Sequence, residues 1–323
     1  MKKLVFVGSV CLVYAIAGLK AAPASISATP LRVAQNNSAP IPPTQVQLLT
    51  AGAEPRQELR LKPQVNSKQT LVITMNMDAA TTLGGQVLPK FKIPASVMKM
   101  EVLVTQVDAN GDIHSKFSYT DADVVADPSV SPEILNAMQS AIKKAVGISG
   151  TFIIDNRGQT KSGSFVLPEG SDPITKQLFN QFSNSLDQIS SSVPQEAVGV
   201  GAKWRVSDSL NVGGINLNQS VIYELVSLKD NIATLNVSME QQANAQDVNI
   251  PGVAPKGASF SLKSLTSKGQ GQMIITLDAI MPTRSTMSIS SQTEMNIKEA
   301  NSSEGVTVGT QLSMQINLES QSP

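Results

Sequence analysis

The sequence predicts a mainly β protein with a smaller α part: a strongly curved antiparallel sheet or open half-barrel packed against two helices. Three observations lead there. Apolar and polar residues alternate over long stretches, turn sequences separate those stretches, and only two segments carry helical spacing. The alternation is clearest over Gly269–Ile297. Met273, Ile275, Leu277, Ala279 and Met281 fall at every second position, and after Pro282 come Met287, Ile289, Met295 and Ile297. A strand sends successive side chains to opposite faces, so this stretch reads as a hairpin with one apolar and one wet face. Pro282 cannot donate to a ladder, which puts the reversal around Asp278–Thr283.

The other elements follow in chain order. Thr70–Met77 alternates. Val97–Val107 and Asp112–Tyr119 form a hairpin about Asp108-Ala109-Asn110-Gly111. Ser131-Pro132-Glu133 opens a helix over about 132–146, with Ile134, Leu135, Met138, Ile142 and Val146 on one face and Gly147 beyond its end. Thr151–Asp155 and Ser162–Leu167 make a third hairpin. A second helix is expected over 172–190, with Asp172 as cap and a stripe of Ile174, Leu178, Phe179, Phe182, Leu186 and Ile189. Lys203–Ser207, Ser220–Leu228, Ile232–Glu240 and Val306–Leu318 read as strands, and 242–266 as a loop with weak strand content. The two helices are expected to fill the concave face of the sheet.

The ends are organised differently. Lys2 and Lys3 precede an apolar run, Leu4–Leu19, and Ala22-Pro23-Ala24 fits a cleavage site, so 1–24 reads as a signal peptide; cleavage after Ala28 is the alternative. The one cysteine, Cys11, lies in that run, which leaves a mature chain without thiol chemistry or disulfides. Residues 25–56 are rich in Pro, Ala, Ser, Asn and Gln and are expected to be a disordered linker. A single β-rich domain then covers 57–320, and halves of about 57–170 and 195–320 echo each other in hairpin order. Gly150-Thr151-Phe152-Ile153-Ile154, for instance, parallels Gly271-Gln272-Met273-Ile274-Ile275.

Four short stretches, Leu59-Arg60-Leu61, Ile73-Thr74-Met75-Asn76-Met77, Val198–Trp204 and Gly269-Gln270-Gly271-Gln272, resemble a family of secreted bacterial β-rich domains of unknown function. The resemblance covers 57–318 and implies fold and compartment. It brings no catalytic residue with it.

Composition narrows the function. Apolar residues make up 41% and aromatic ones only 4%, so Val, Ile, Leu and Met must fill the core. Without the three leader lysines the chain holds 22 basic against 25 acidic residues, which gives no electrostatic reason for a nucleic-acid partner. His114 is the single histidine, so no multi-histidine metal site can be built, and a Ser-His-Asp triad would need it. Asp108, Asn110 and Asp112 begin like a calcium loop, but Gly111 comes two places early and no glutamate closes it, so a β-turn is the reading. Asp121, Asp123 and Asp127 read as a solvated loop, and Trp204 as a core plug. No cofactor and no enzymatic activity are expected.

Methionine carries the remaining signal. Met75 and Met77, Met98 and Met100, and Met273, Met287 and Met295 with Ile289 each share a strand face. Two readings stay open: plain core packing, and the lining of a site for an apolar small molecule or lipid between sheet and helices. The sequence therefore supports a non-enzymatic exported protein of the bacterial periplasm or cell surface. It binds an apolar ligand on one reading. On the other it is a solid-cored structural module that engages another envelope protein.

Overall fold

The structure is a computed structural model and describes residues 44–89, 92–171, 193–212, 214–248, 258–298 and 304–321. The leader, the linker up to residue 43 and the helix expected over 172–190 lie outside the described residues.

The strands are β1 (Gln45–Thr50), β2 (Lys68–Leu83), β3 (Gln86–Val87), β4 (Lys92–Val107) and β5 (Ile113–Val124). The helix α1 (Pro132–Lys143) follows, then β6 (Ser149–Ile154), β7 (Thr160–Val166), β8 (Lys203–Val212), β9 (Ile215–Lys229) and β10 (Ile232–Ala243). β11 (Gln246–Val248), β12 (Ser259–Thr276), β13 (Arg284–Lys298) and β14 (Val306–Gln321) complete the chain. They form one antiparallel sheet in the order β1-β8-β9-β10-β12-β13-β14-β2-β4-β5-β6-β7, with β3 beside β2 and β11 beside β12. Two meanders, β2–β7 and β8–β14, are thus joined where β14 runs along β2, from Val308 opposite Leu83 to Gln321 opposite Thr70. The path stays open, with β1 and β7 at its ends.

Turn chemistry explains the hairpins. Asp230 and Asn231 both take positive φ between β9 and β10, the conformation a two-residue hairpin needs. Between β4 and β5 the Asp112 amide donates to Asn110 Oδ1 at 3.1 Å, and the Gly111 amide donates to the Asp108 carbonyl at 2.9 Å. The reversal between β12 and β13 falls after Thr276, where the sequence places it. The Gln69 side chain holds it: Oε1 accepts from the Ile280 and Met281 amides at 3.2 and 3.1 Å, and Nε2 donates to the Met281 carbonyl.

One core cluster draws on both meanders. It joins Leu71, Ile73 and Met75 of β2 and Met100, Val102 and Val104 of β4 to Trp204, Leu235, Met273, Met287 and Ile316 from the other arm. The segment between β1 and β2 straps this core. Leu59 and Leu61 are buried in it. The Leu61 amide donates to the Asn156 carbonyl in the β6–β7 turn, and the Lys62 amide to the Leu277 carbonyl after β12, each at 2.7 Å. A second cluster lies further along β8–β14, around Leu210, Leu217, Phe260, Leu262, Leu265 and Leu312.

Three expectations need correction. Gln45–Thr50, expected within the disordered linker, pairs with β8 as an edge strand. Residues 242–266, expected mostly as loop, contain β11 and the first part of β12. There the register shifts between Leu262 and Ser264, so Phe260 and Leu262 point inward on even positions and Leu265 on an odd one. A bulge of this kind erases a period-two pattern. The helix over 132–146 exists as α1, capped by Ser131, but none of its residues is buried and Ile134 is 44% exposed. It does not fill the sheet. No residue of α1 belongs to either core cluster, and the helix lies against β5.

The register of β13 is directly testable. Met287 and Ile289 are 1% and 5% exposed, while Ser288 between them faces solvent. Met287→Asp and Ile289→Asp should each cost more than about 3 kcal/mol, because a charge enters packed apolar space. Ser288→Asp should stay within about 0.5 kcal/mol of wild type. Urea unfolding of the three variants side by side checks this.

Candidate functional site: a buried polar row and its cleft

The inner face of the sheet should be apolar throughout, and across five neighbouring strands it is not. Asp208 of β8 stands opposite Gln219 of β9, Gln219 opposite Gln241 of β10, Gln241 opposite Ser267 of β12, and Ser267 opposite Ser291 of β13. All five are buried. Two residues to one side lie Val206, Val221, Met239 and Ile289 of the larger core. Two residues to the other lie Leu210, Leu217, Ala243 and Leu265 of the second. The row therefore separates the two apolar clusters.

Two pairs of its members bond to each other along the sheet. Gln241 Nε2 donates to Gln219 Oε1 at 2.7 Å, and Ser267 Oγ donates to Ser291 Oγ at 2.8 Å. Thr44, just before β1, donates its hydroxyl to Asp208 Oδ1. Buried polar groups persist in a core only when paired in this way. At the β8 end the row meets a cleft of about 390 Å3, lined by Gln45, Asp208, Gln219, Glu240 and Gln241 with neighbouring serines. Its lining offers amides, hydroxyls and two carboxylates. Such groups suit a ligand that donates and accepts hydrogen bonds.

The methionines are elsewhere. Met75, Met100, Met273, Met287 and Ile289 belong to the larger core, Met77 and Met98 pack against it, and Met295 sits in the second cluster. None of these eight residues lines the cleft. Met287 and Ile289, with Met239, fill space that two glycines of β12 leave. A Cβ on Gly269 would come within 3.1 Å of the Met239 methyl and 3.2 Å of the Met287 methyl, and a Cβ on Gly271 would collide with the Thr286 carbonyl oxygen. The Gly-x-Gly of β12 is thus a notch that methionine ends occupy. Trp204 is 1% exposed and stacks on Tyr223 with ring centroids 5.6 Å apart, as a core plug should.

The remaining candidates are held in local contacts. His114 Nε2 lies 2.8 Å from Asp108 Oδ2. That bond, followed by one from the Gln106 amide, holds the Asp108 carboxyl below its ordinary 3.8. Lys161 pairs with Asp112 at 2.6 Å, Lys99 with Asp121 at 3.3 Å, and Asp123 accepts from the Gln139 amide. Among the described residues no three carboxylate, histidine or cysteine groups come together as a metal site would require.

Sequence reasoning missed the polar row. Its signal was present as single polar residues at inner positions, as in Val206-x-Asp208-x-Leu210 and Met239-x-Gln241-x-Ala243. Only cross-strand register shows that they lie side by side.

A family of unknown function (DUF6263) matches residues 174–279, about a third of the chain, a stretch that includes β8 to β12 and most of the polar row. This agrees with the resemblance to a β-rich family of unknown function. No curated protein matches. Among solved structures, the Pseudomonas putida toluene transporter TodX is similar at 9% identity and a TM-score of 0.25, over 81% of this chain and 91% of its own. Acinetobacter baumannii OccAB4 aligns at 8% identity and 0.19, over 80% and 99%. Ail, the attachment invasion locus protein of Yersinia pestis, aligns at 7% and 0.15, over 79% and 99%. Scores this low carry no argument about fold or function.

Two tests follow from this geometry. Gln241→Leu strands the Gln219 carbonyl in the core and should cost about 1–3 kcal/mol. Adding Gln219→Leu should recover part of the loss, so a double-mutant cycle in urea should give a clearly non-additive result. The second concerns acid. Because the folded Asp108 carboxyl is held below 3.8, its contribution to stability is complete above that pH and disappears as pH falls through the lower folded value. The stability difference between wild type and Asp108→Asn should therefore shrink below pH 3.8, as read by urea midpoints across an acid series.

Proposed function

We propose that the chain is an exported, non-enzymatic envelope protein that works as an interaction module through the surfaces of a solid-cored sheet. One observation carries this reading. The methionine face, which could have lined a ligand cavity, is packed as core, with Met100, Met273 and Met287 at 0–1% exposure. An apolar pocket needs side chains that border open space; these belong to one buried cluster, in which Met287 closes on the glycine notch of β12.

The outer face supports the same reading. Thr286, Ser288, Ser290, Gln292 and Glu294 of β13 are exposed, while Ser285, Met287, Ile289 and Ser291 are buried. A barrel crossing a lipid bilayer has the opposite arrangement, apolar outside and polar within. The sheet is thus built to stand in water. On this reading it curls so that both meanders enclose the larger cluster, which draws on strands from each. The basic start and apolar run of the leader support export to the periplasm or cell surface. The single histidine is engaged by Asp108.

Native mass spectrometry of the protein purified from its own host tests this. The expected result is the bare polypeptide mass, less the leader. A retained lipid, seen as added mass lost on collisional activation, would overturn the solid-core reading in favour of an apolar-ligand carrier.

A further inference from the structure

Asn110 is the only asparagine in the sequence that glycine follows. An asparagine side chain is lost slowly in water when the next backbone nitrogen attacks its Cγ, and a side chain on that next residue crowds the attack. Glycine has none, so Asn110 is the asparagine of this chain most open to it. The pair sits in the turn between β4 and β5, where Asn110 is exposed and Gly111 takes a φ of 86°. Both reacting groups are engaged there. The Gly111 N–H donates to the Asp108 carbonyl at 2.9 Å, which holds the proton that the nitrogen must lose. The Asn110 side chain is held at both ends by Asp112. Its Oδ1 accepts from the Asp112 backbone amide at 3.1 Å, and its Nδ2 donates to Asp112 Oδ2 at 3.0 Å. Asp112 is only 9% exposed and is fixed in turn by Lys161 of β7, whose Nζ lies 2.6 Å from Oδ2.

We infer that Asn110 is a site of spontaneous deamidation in this protein and that Asp112, as a positioning residue, holds the rate down. In the reaction the Gly111 nitrogen bonds to Asn110 Cγ and the Cγ–Nδ2 bond breaks. The proton from Gly111 passes through water to the departing amide, which leaves as ammonia. A succinimide ring remains. Water then adds to either of its carbonyls and opens it, to an aspartate or to an isoaspartate whose backbone runs through Cγ. The aspartate product inverts the local chemistry. A carboxylate only accepts, so the 3.0 Å contact with Asp112 Oδ2 becomes one between two anions, and both draw on Lys161, the tie from this turn to β7. The isoaspartate product adds a methylene to the backbone of the turn. Deamidation therefore loosens the β4–β5 turn in one direction only. The intact contacts oppose it, because releasing the Asn110 side chain breaks a hydrogen bond to a charged group.

The test incubates the full chain in mildly alkaline buffer, folded or in urea, and reads deamidation at each asparagine by peptide mapping and mass spectrometry. In urea the reaction should appear first at Asn110, and in the folded chain it should run at least about tenfold more slowly there. Asp112→Ala should recover much of that difference without urea. Asp112→Asn, which keeps a side-chain oxygen for the Asn110 amide, should stay near the wild-type rate. Asn110→Asp, the aspartate product made directly, should have a lower urea midpoint than Asn110→Ala, since only it sets a second anion against Asp112. A reaction in urea led by another asparagine overturns the site. Equal rates at Asn110 folded and in urea, or a folded Asp112→Ala chain that reacts no faster, overturn the role of Asp112. An Asn110→Asp midpoint at or above that of Asn110→Ala overturns the loosening of the turn. If Asp112→Ala does not fold, Asp112→Asn and the folded-against-urea comparison of wild type still decide.

Discussion

The antiparallel ladder between β2 and β14 is the constraint on which the rest of the structure depends. It pairs Thr70–Leu83, near the start of the described chain, with Val308–Gln321, near its end. Closing a loop of that length costs conformational entropy that grows with the logarithm of its length, so the strands must return the cost through burial. Their inner residues do so. Ile73 meets Leu318, Met75 meets Ile316 and Met77 meets Met314. Without this seam the two meanders would each expose an edge beside an apolar face. With it they share one inner face and one core cluster.

Two devices hold that shared face from within the chain. The Leu59–Lys62 strap bonds to the β6–β7 turn on one meander and to the residue after β12 on the other. It therefore ties the arms together at a point the ladder does not reach. Arg60, within the strap, donates to the Pro194 and Gln195 carbonyls at 3.1 and 2.6 Å and so fixes the approach to β8. Gln69 performs the same service for the β12–β13 turn, its amide bonding to backbone that would otherwise be buried without partners. The Leu-x-Leu opening that marks the family resemblance thus has a mechanical role.

The interior is divided. Methionine ends and a glycine notch fill the larger cluster, and a hydrogen-bonded polar row parts it from the second. In an apolar interior such a row disfavours any register in which its members lose one another, because a slip of one residue would send Gln219 and Gln241 to the wet face and serines and asparagines inward. The row thus bears on specificity of fold, and Asp208, at its end beside β1, borders the cleft.

The sequence by itself determined the class of structure and the facing of most residues. Period-two alternation identified the hairpin of β12 and β13, and Asp-Ala-Asn-Gly placed the turn between β4 and β5, because strand pleat and positive-φ turns impose local rules that a sequence must obey. It separated inside from outside on β13 residue by residue. The order of strands, the β2–β14 seam, the exposed lie of α1 and the polar row were decided only in the tertiary structure. Each depends on which strand lies beside which, and a chain written in one dimension carries no record of cross-strand register. The methionines show the boundary most clearly. Their alternation announced a buried face, but whether that face enclosed a ligand or packed solid depended on Gly269 and Gly271 standing opposite Ile289 and Met287, a matter of register alone.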